Sequence, residues 1–212
     1  MTEPKLKIRT DIYSSDQATS VLRAERKVSS VQIGTEEFND YFTSFKESAF
    51  RFETLPAYAV AHEDAHYAAY REGKKEPPFR YTNWENIIDS ATKAGKQFEI
   101  VRVVPDPITE YFCYEVDWHY LRYADLGQQT RFVDKSALPP ELKSLLGADF
   151  WLFDDKFAVT IEYNQAGDVI SFLKITDPQE ISLLKKAKGI ALQSSYSLEQ
   201  FLKTYKSVRE SG

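Results

Sequence analysis

The stretch DFWLFDDKFAVTIEYNQAGDVISFLKI, residues 149–175, decides the fold. It holds three short runs rich in aromatic and β-branched residues, Asp149–Phe153, Phe157–Tyr163 and Val169–Ile175, a composition that suits a pleated surface. Asp154-Asp155 parts the first two runs and Asn164 to Gly167 the second two, and both stretches favour tight turns. Strands joined so closely run antiparallel, because a parallel return needs a crossover of about a dozen residues or more.

Upstream the pattern changes. Phe50 and Phe52 alternate with Arg51 and Glu53, and Pro56 ends the run, which predicts a strand over residues 50–55. Residues 98–104 are nearly continuous and β-branched, the pattern of a buried strand, and Pro105 and Pro107 close it. Residues 130–133 predict a short strand. Helices stand between these runs. Thr35 caps a stripe of Phe38, Tyr41, Phe42 and Phe45. Residues 61–72 favour helix up to Gly73. Asn83 caps a helix carrying Trp84, Ile87, Ile88 and Ala91, which stops at Gly95. Residues 108–126 predict one long helix with Tyr111, Tyr114, Trp118 and Leu121 on its stripe and Gly127 at its end. After the three strands, Asp177-Pro178 opens a closing helix, and residues 197–208 form a last amphipathic one.

Strands that alternate with helices imply parallel members, and the last three strands imply an antiparallel part. The expected fold class is therefore α/β, a mixed sheet flanked by helices. Residues 1–34 are polar with weak periodicity and read as a lead-in, with a short helix at residues 19–27. Residues 35–212 read as a single α/β domain.

Composition narrows the function classes. Of 212 residues, 42% are hydrophobic and 14% aromatic, enough to build a core without staples. The net charge is −5, and the Lys and Arg residues are scattered apart from Lys185, Lys186 and Lys188. Direct nucleic-acid binding is not expected, since it draws on concentrated positive charge. The one cysteine, Cys113, excludes an intramolecular disulfide and suits a reducing compartment. Residues 1–10 are polar and no apolar stretch is long enough to span a bilayer, so a cytoplasmic location without membrane contact is expected.

The sharpest local signal is His62-Glu63-Asp64-Ala65-His66, which spells H-E-x-x-H. On a helix, His62 and His66 share a face and can grip one zinc ion, while Glu63 polarises the metal-bound water as general base. Glu72 or Glu85 is the candidate third ligand. Against this stand Asp64 inside the motif and Ala69 where the extended motif has glycine. The bland reading, a partly exposed helix with incidental histidines, is the stronger one. His119, beside Trp118, reads as a packed core histidine. Pro105-Asp106 with Asp154-Asp155-Lys156 resembles a nuclease pattern in which two carboxylates hold Mg²⁺, but the gap is longer than that pattern usually shows, and a tight turn explains Asp154 and Asp155 without function. Glu110, Glu115 and Asp117 are candidates to line an acidic groove for a cationic ligand among aromatics, while a helix surface beside the core is the stronger reading. A glycine-rich phosphate loop and a G-x-S-x-G elbow are both missing.

Three segments, Phe52-Glu53-Thr54-Leu55-Pro56, Arg102-Val103-Val104-Pro105 and Asp149 to Asp155, resemble in their order a family of bacterial proteins of unknown function, common in actinobacteria. The resemblance covers roughly residues 36–195. Its genes often lie near one for a helix-turn-helix regulator of the Xre type, which implies that regulator as a partner. The order of elements also resembles one half of a phospholipase D-like domain. There a strand carries His-x-Lys, and here those slots hold Asp149 and Trp151, so the resemblance implies a degenerate module. Asp149, Trp151, Asp154 and Asp155 are then the candidate binding residues. The expected function is a non-catalytic ligand- or protein-binding module without cofactor. The alternative is a zinc-dependent hydrolase on His62, Glu63 and His66.

Overall fold

The two patterns read in the sequence join into one eight-stranded sheet. The computed structural model describes residues 30–210; the helix expected at residues 19–27 lies outside them. In chain order the strands are β1 (Ser30–Ile33), β2 (Ser48–Glu53), β3 (Gln97–Val104), β4 (Gln129–Asp134), β5 (Asp149–Phe153), β6 (Phe157–Tyr163), β7 (Val169–Ile175) and β8 (Tyr196–Ser197). The helices are α1 (Thr35–Ser44), α2 (Asp64–Arg71), α3 (Thr82–Lys93), α4 (Glu110–Tyr114), α5 (Leu121–Asp125), α6 (Pro140–Lys143), α7 (Pro178–Ser194) and α8 (Leu198–Glu210). The spatial order of strands is β1-β7-β6-β5-β2-β3-β4-β8. β2, β3 and β4 are parallel to one another, and every other pairing is antiparallel. The mixed sheet flanked by helices is the architecture expected.

The hairpin β5–β6 shows how local chemistry sets the register. Asp154 and Asp155 both have φ of 54°, and Lys156 N donates to Phe153 O at 2.9 Å. Positive φ at both central residues of the turn matches the twist of the flanking strands. The Asp154 carboxylate also accepts from the backbone N–H groups of Lys46, Glu47 and Ser48 at 2.7–3.0 Å. Partial burial alone pushes its pKa up, yet these three donors hold it below the usual carboxylate range. The turn therefore fixes the start of β2 as well as its own hairpin.

Each face of the sheet has its own core. On one face Phe50, Phe52, Val101, Val103, Phe150 and Leu152 pack under Leu142 of α6 and Ile181, Leu184 and Ala191 of α7. On the other, Ala49, Phe98, Ile100, Trp151 and Phe153 pack under Phe38 and Phe42 of α1 and Ile88 and Ala91 of α3. Trp151 meets Phe42 edge-on at 4.8 Å and stacks on Phe153 at 5.9 Å. With helices over both faces, the alternation in β2 does not mark a wet side. Arg51 and Glu53 point into the helix-covered face, together with Arg102 of β3.

Three expectations are corrected. The sheet takes an edge strand, β1, from residues 30–33, inside the stretch read as lead-in. Its four residues are too few to show periodicity, and only Ile33 is buried. The predicted helix over residues 61–72 begins as a tighter 3₁₀ turn, Ala61–Glu63, before α2. The single long helix over residues 108–126 is instead α4, a π-helical segment Glu115–Tyr120, and α5.

Gly127 ends α5 with φ of +101°, and a Cβ there would meet the side chain of Thr92 on α3. Gly127→Ala is expected to destabilise the protein by about 1–3 kcal/mol, from backbone strain and overpacking together. Urea denaturation checks this, and a variant as stable as the parent would show that α3 yields without cost.

Candidate functional site

The charged residues of β2 and β3 lie toward the carboxyl ends of parallel strands, where α/β sheets commonly place their ligand sites. Arg102 and Asp149 are fully buried, and Glu53 and Glu115 nearly so. Burial of so many charges is costly unless they are paired, and here they are. Arg102 Nη2 meets Glu115 Oε2 at 2.7 Å, and its Nη1 donates to the carbonyl of Leu55. Arg51 Nη1 lies 2.7 Å from Glu53 Oε1, and its Nη2 lies 3.1 Å from Asp149 Oδ2. The ring of Tyr58 lies against both guanidinium groups, with centroid distances of 5.4 Å for Arg51 and 5.1 Å for Arg102.

Asp149 is the most heavily engaged acid. Its Oδ1 accepts from Thr54 N at 2.8 Å and Thr54 Oγ1 at 3.0 Å. Its Oδ2 accepts from Tyr58 OH at 2.6 Å and Tyr163 OH at 3.2 Å, besides Arg51. The loop after β2 is thereby tied to the start of β5.

The π segment explains how Glu115 and Tyr120 both reach this cluster. Tyr120 OH donates to Glu53 Oε2 at 2.8 Å and lies 3.4 Å from Glu115 Oε1. In an α-helix, residues five apart point about 140° away from each other. The i→i+5 bonding of a π turn brings such a pair onto one side. Burial pushes the Glu115 carboxyl up to about 8, against the pull of the Arg102 guanidinium, with Glu53 adding to the rise.

Glu63 closes the outer side. Its carboxylate accepts from Tyr111 OH at 2.6 Å. Burial pushes it up to about 7, although that hydrogen bond and Arg51 pull it down. A carboxyl whose pKa is raised on folding stabilises the fold while protonated. That contribution is present below the unfolded value of 4.5 and is lost as pH rises through about 7. The melting temperature is thus expected to fall between about pH 5 and pH 7.5, and Glu63→Gln to flatten that part of the profile. Calorimetric melting across this range checks it. The same slope in the variant would assign the effect elsewhere.

The residues of the H-E-x-x-H string part company. His62 and Glu63 sit on the 3₁₀ turn and His66 on α2, so they lack the continuous helical face the motif needs. His62 is exposed. His66 is buried with its ring 4.1 Å from Phe79 and 4.3 Å from Tyr81. Glu72 lies at the far end of α2, 3.5 Å from Lys74, and Glu85 pairs with Arg122 at 2.8 Å. Among the described residues no group of three or more His, Cys, Asp and Glu is placed to hold a metal ion. His119 is buried between Tyr114 and Tyr123, with ring centroids at 4.7 and 5.6 Å, and burial lowers its pKa to about 3.

The other candidates also separate. Asp149 and Trp151 are buried within β5, whereas Asp154 and Asp155 lie in the turn beyond its other end. Asp155 pairs with Lys188 at 3.1 Å. Asp106 follows the carboxyl end of β3, while Asp154 binds the chain entering β2. Because β2 and β3 are parallel, the nuclease string spans opposite ends of the sheet. Of the acidic trio, only Glu115 enters the cluster. Glu110 meets Arg71 at 3.3 Å, and Asp117 accepts from Tyr70 OH at 2.7 Å. Arg51, Glu53, Tyr58, Arg102 and Tyr120 were not among the candidates. The available signal was an arginine inside the run Ile100–Val104 of β3, where its neighbours are all apolar.

A family model described as a domain of unknown function (DUF6879) matches residues 36–203. No curated protein matches the chain. Among solved structures the chain is similar to Nuc from Salmonella typhimurium, a phospholipase D family member, with 10% identity and a TM-score of 0.47 over 74% of this chain and 86% of that one. It is similar to NucT from Helicobacter pylori, with 14% identity and a TM-score of 0.43 over 80% and 97%. It is also similar to TrmBL2, an archaeal chromatin protein, with 11% identity and a TM-score of 0.43 over 84% and 59%.

Proposed function

Starting from the fact that the chain belongs to the DUF6879 family, a domain of unknown function, we propose that it is a non-catalytic binding module whose partner is a protein, a helix-turn-helix transcription regulator. The observation that carries this reading is the closure of the charged cluster upon itself. Both oxygens of Asp149 are occupied by donors of the chain, Arg51 spans two carboxylates, and Arg102 is buried against Glu115. A general base needs a free lone pair within reach of a substrate proton, and an anion site needs open donors. These groups spend both on one another, so the cluster acts as the polar centre of a scaffold. The net charge of −5 suits a partner with a basic surface.

Isothermal titration of the full chain with the regulator encoded nearest to it tests the reading. Binding at roughly micromolar affinity or tighter is expected. Absence of heat, together with hydrolysis of a phosphodiester or peptide substrate by the chain alone, would replace this reading with an enzymatic one.

A further inference from the structure

All three histidines of the chain pack around one tyrosine. The Tyr81 ring lies 5.5 Å from His62, 4.3 Å from His66 and 5.5 Å from His119. Tyr81 ends the segment of residues 73–81 that joins α2 to α3, and Phe79 of the same segment lies over His66 at 4.1 Å. Two polar ties of this segment are long. Tyr81 OH donates to the His62 carbonyl at 3.2 Å, and Arg80 stands 3.8 Å from Glu85. Exposed contacts of this length contribute little, so the two rings on His66 are what hold the segment down across His119. His119 Nε2 is buried without a hydrogen-bond partner. The rings facing His119 are His66 of α2, Tyr81 of the segment, Tyr114 of α4 and Tyr123 of α5. Burial raises the pKa of all three tyrosines, so they stay neutral in acid. Burial and His62 lower that of His66, against the pull of the Phe79 backbone. The carboxylate whose field reaches all three tyrosines is Glu63, which accepts from Tyr111 and takes its proton near pH 7.

We propose that residues 73–81 form an acid-released strap: when His119 takes up a proton, Phe79 and Tyr81 leave His66 and water reaches the π segment beneath. An imidazolium in a dry site among rings lacks the acceptors its charge needs. Tyr114 and Tyr123 stand on helices of the folded core, so the strap is the cover that yields. Covered, His119 stays neutral down to about pH 3, through burial first and then the neighbouring His66 and His62. Uncovered, it takes a proton near the usual 6.5. The covered form therefore has its full advantage above pH 6.5 and loses up to about tenfold of it per pH unit below. Glu63 titrates in the opposite sense, so whole-chain melting does not report on the strap and the readout is local. This device stands apart from the binding-module reading.

Aromatic-ring NMR of the full chain between pH 7.5 and pH 4.5 tests it. The population with Phe79 and Tyr81 released from His66 is expected to rise about tenfold or more, while Trp151 keeps its stack on Phe153. His119→Phe keeps a ring in place and takes no proton, and its strap contacts are expected not to change with pH. Glu63→Gln is expected to keep the acid response. Strap contacts unaltered down to pH 4.5, a response that persists in His119→Phe, or one that vanishes in Glu63→Gln overturns the proposal. If His119→Phe does not fold, the imidazole shifts of the parent decide. Protonation of His119 that coincides with loss of the strap contacts supports the proposal, and protonation with those contacts intact, or their loss while His119 stays neutral, overturns it.

Discussion

Replacing Asp149 by alanine is expected to lower the unfolding free energy by about 3–5 kcal/mol, because it strips a buried network of its shared acceptor. The melting midpoint is expected to drop on the order of 10 °C. Five donors lose their partner at once: Thr54 N, Thr54 Oγ1, Tyr58 OH, Tyr163 OH and the Arg51 guanidinium. Asp149 is itself fully buried, so water does not replace it freely. Arg51 keeps Glu53 and a long contact of 3.5 Å to the Tyr163 hydroxyl. Asp149→Asn keeps one acceptor oxygen and is expected to cost less than half as much. Guanidinium denaturation of the three proteins decides the matter. A loss under about 1 kcal/mol in the alanine variant would mean that the network is a surface arrangement of little energetic weight.

Replacing Arg102 by methionine is expected to cost a similar amount, about 3–5 kcal/mol, for a different reason. Methionine fills much of the volume, so the loss comes from the polar contacts that Arg102 makes. Glu115 is left in a dry site without the guanidinium at 2.7 Å, and the Leu55 carbonyl loses its donor. Two outcomes follow from this cause and from no packing account. The destabilisation is level below about pH 8, where burial keeps Glu115 protonated, and grows as pH rises above it, where the carboxylate of the parent has the guanidinium beside it and that of the variant has no counter-charge. Adding Glu115→Leu to Arg102→Met recovers part of the loss, since removing both partners of a buried pair is far milder than removing one. A double variant worse than the sum of the singles would show that the π turn depends on Glu115 for more than its charge.

These effects sit on residues whose importance the sequence showed only in part. The alternation Phe50-Arg51-Phe52-Glu53 predicted a strand and which residues share a side, and that reading holds. It did not reveal that the charged side is covered, because alternation is the same whether the second face meets water or a helix carrying its own charges. Glu115 was read as one of three acids on a helix surface. In a regular helix Glu115 and Tyr120 diverge, and only the π turn brings them together. The H-E-x-x-H string shows the same dependence on local geometry. Its spacing describes a metal pair only on a continuous α-helix, and the 3₁₀ turn at residues 61–63 breaks that condition before the second histidine.

The sequence by itself determined most of the elements and the fold class. The bounds of β5, β6 and β7, the turn at Asp154-Asp155 and the parallel-plus-antiparallel make-up of the sheet follow from periodicity and turn chemistry, which act over a few neighbouring residues. Only the tertiary structure decided what those elements bring together. Asp149 and Thr54 are distant in the chain and adjacent in the fold, as are Arg102 and Glu115 across the crossover into α4. Such meetings depend on strand order, helix placement and one widened turn. Those are set by burying two cores at once, which no local pattern encodes.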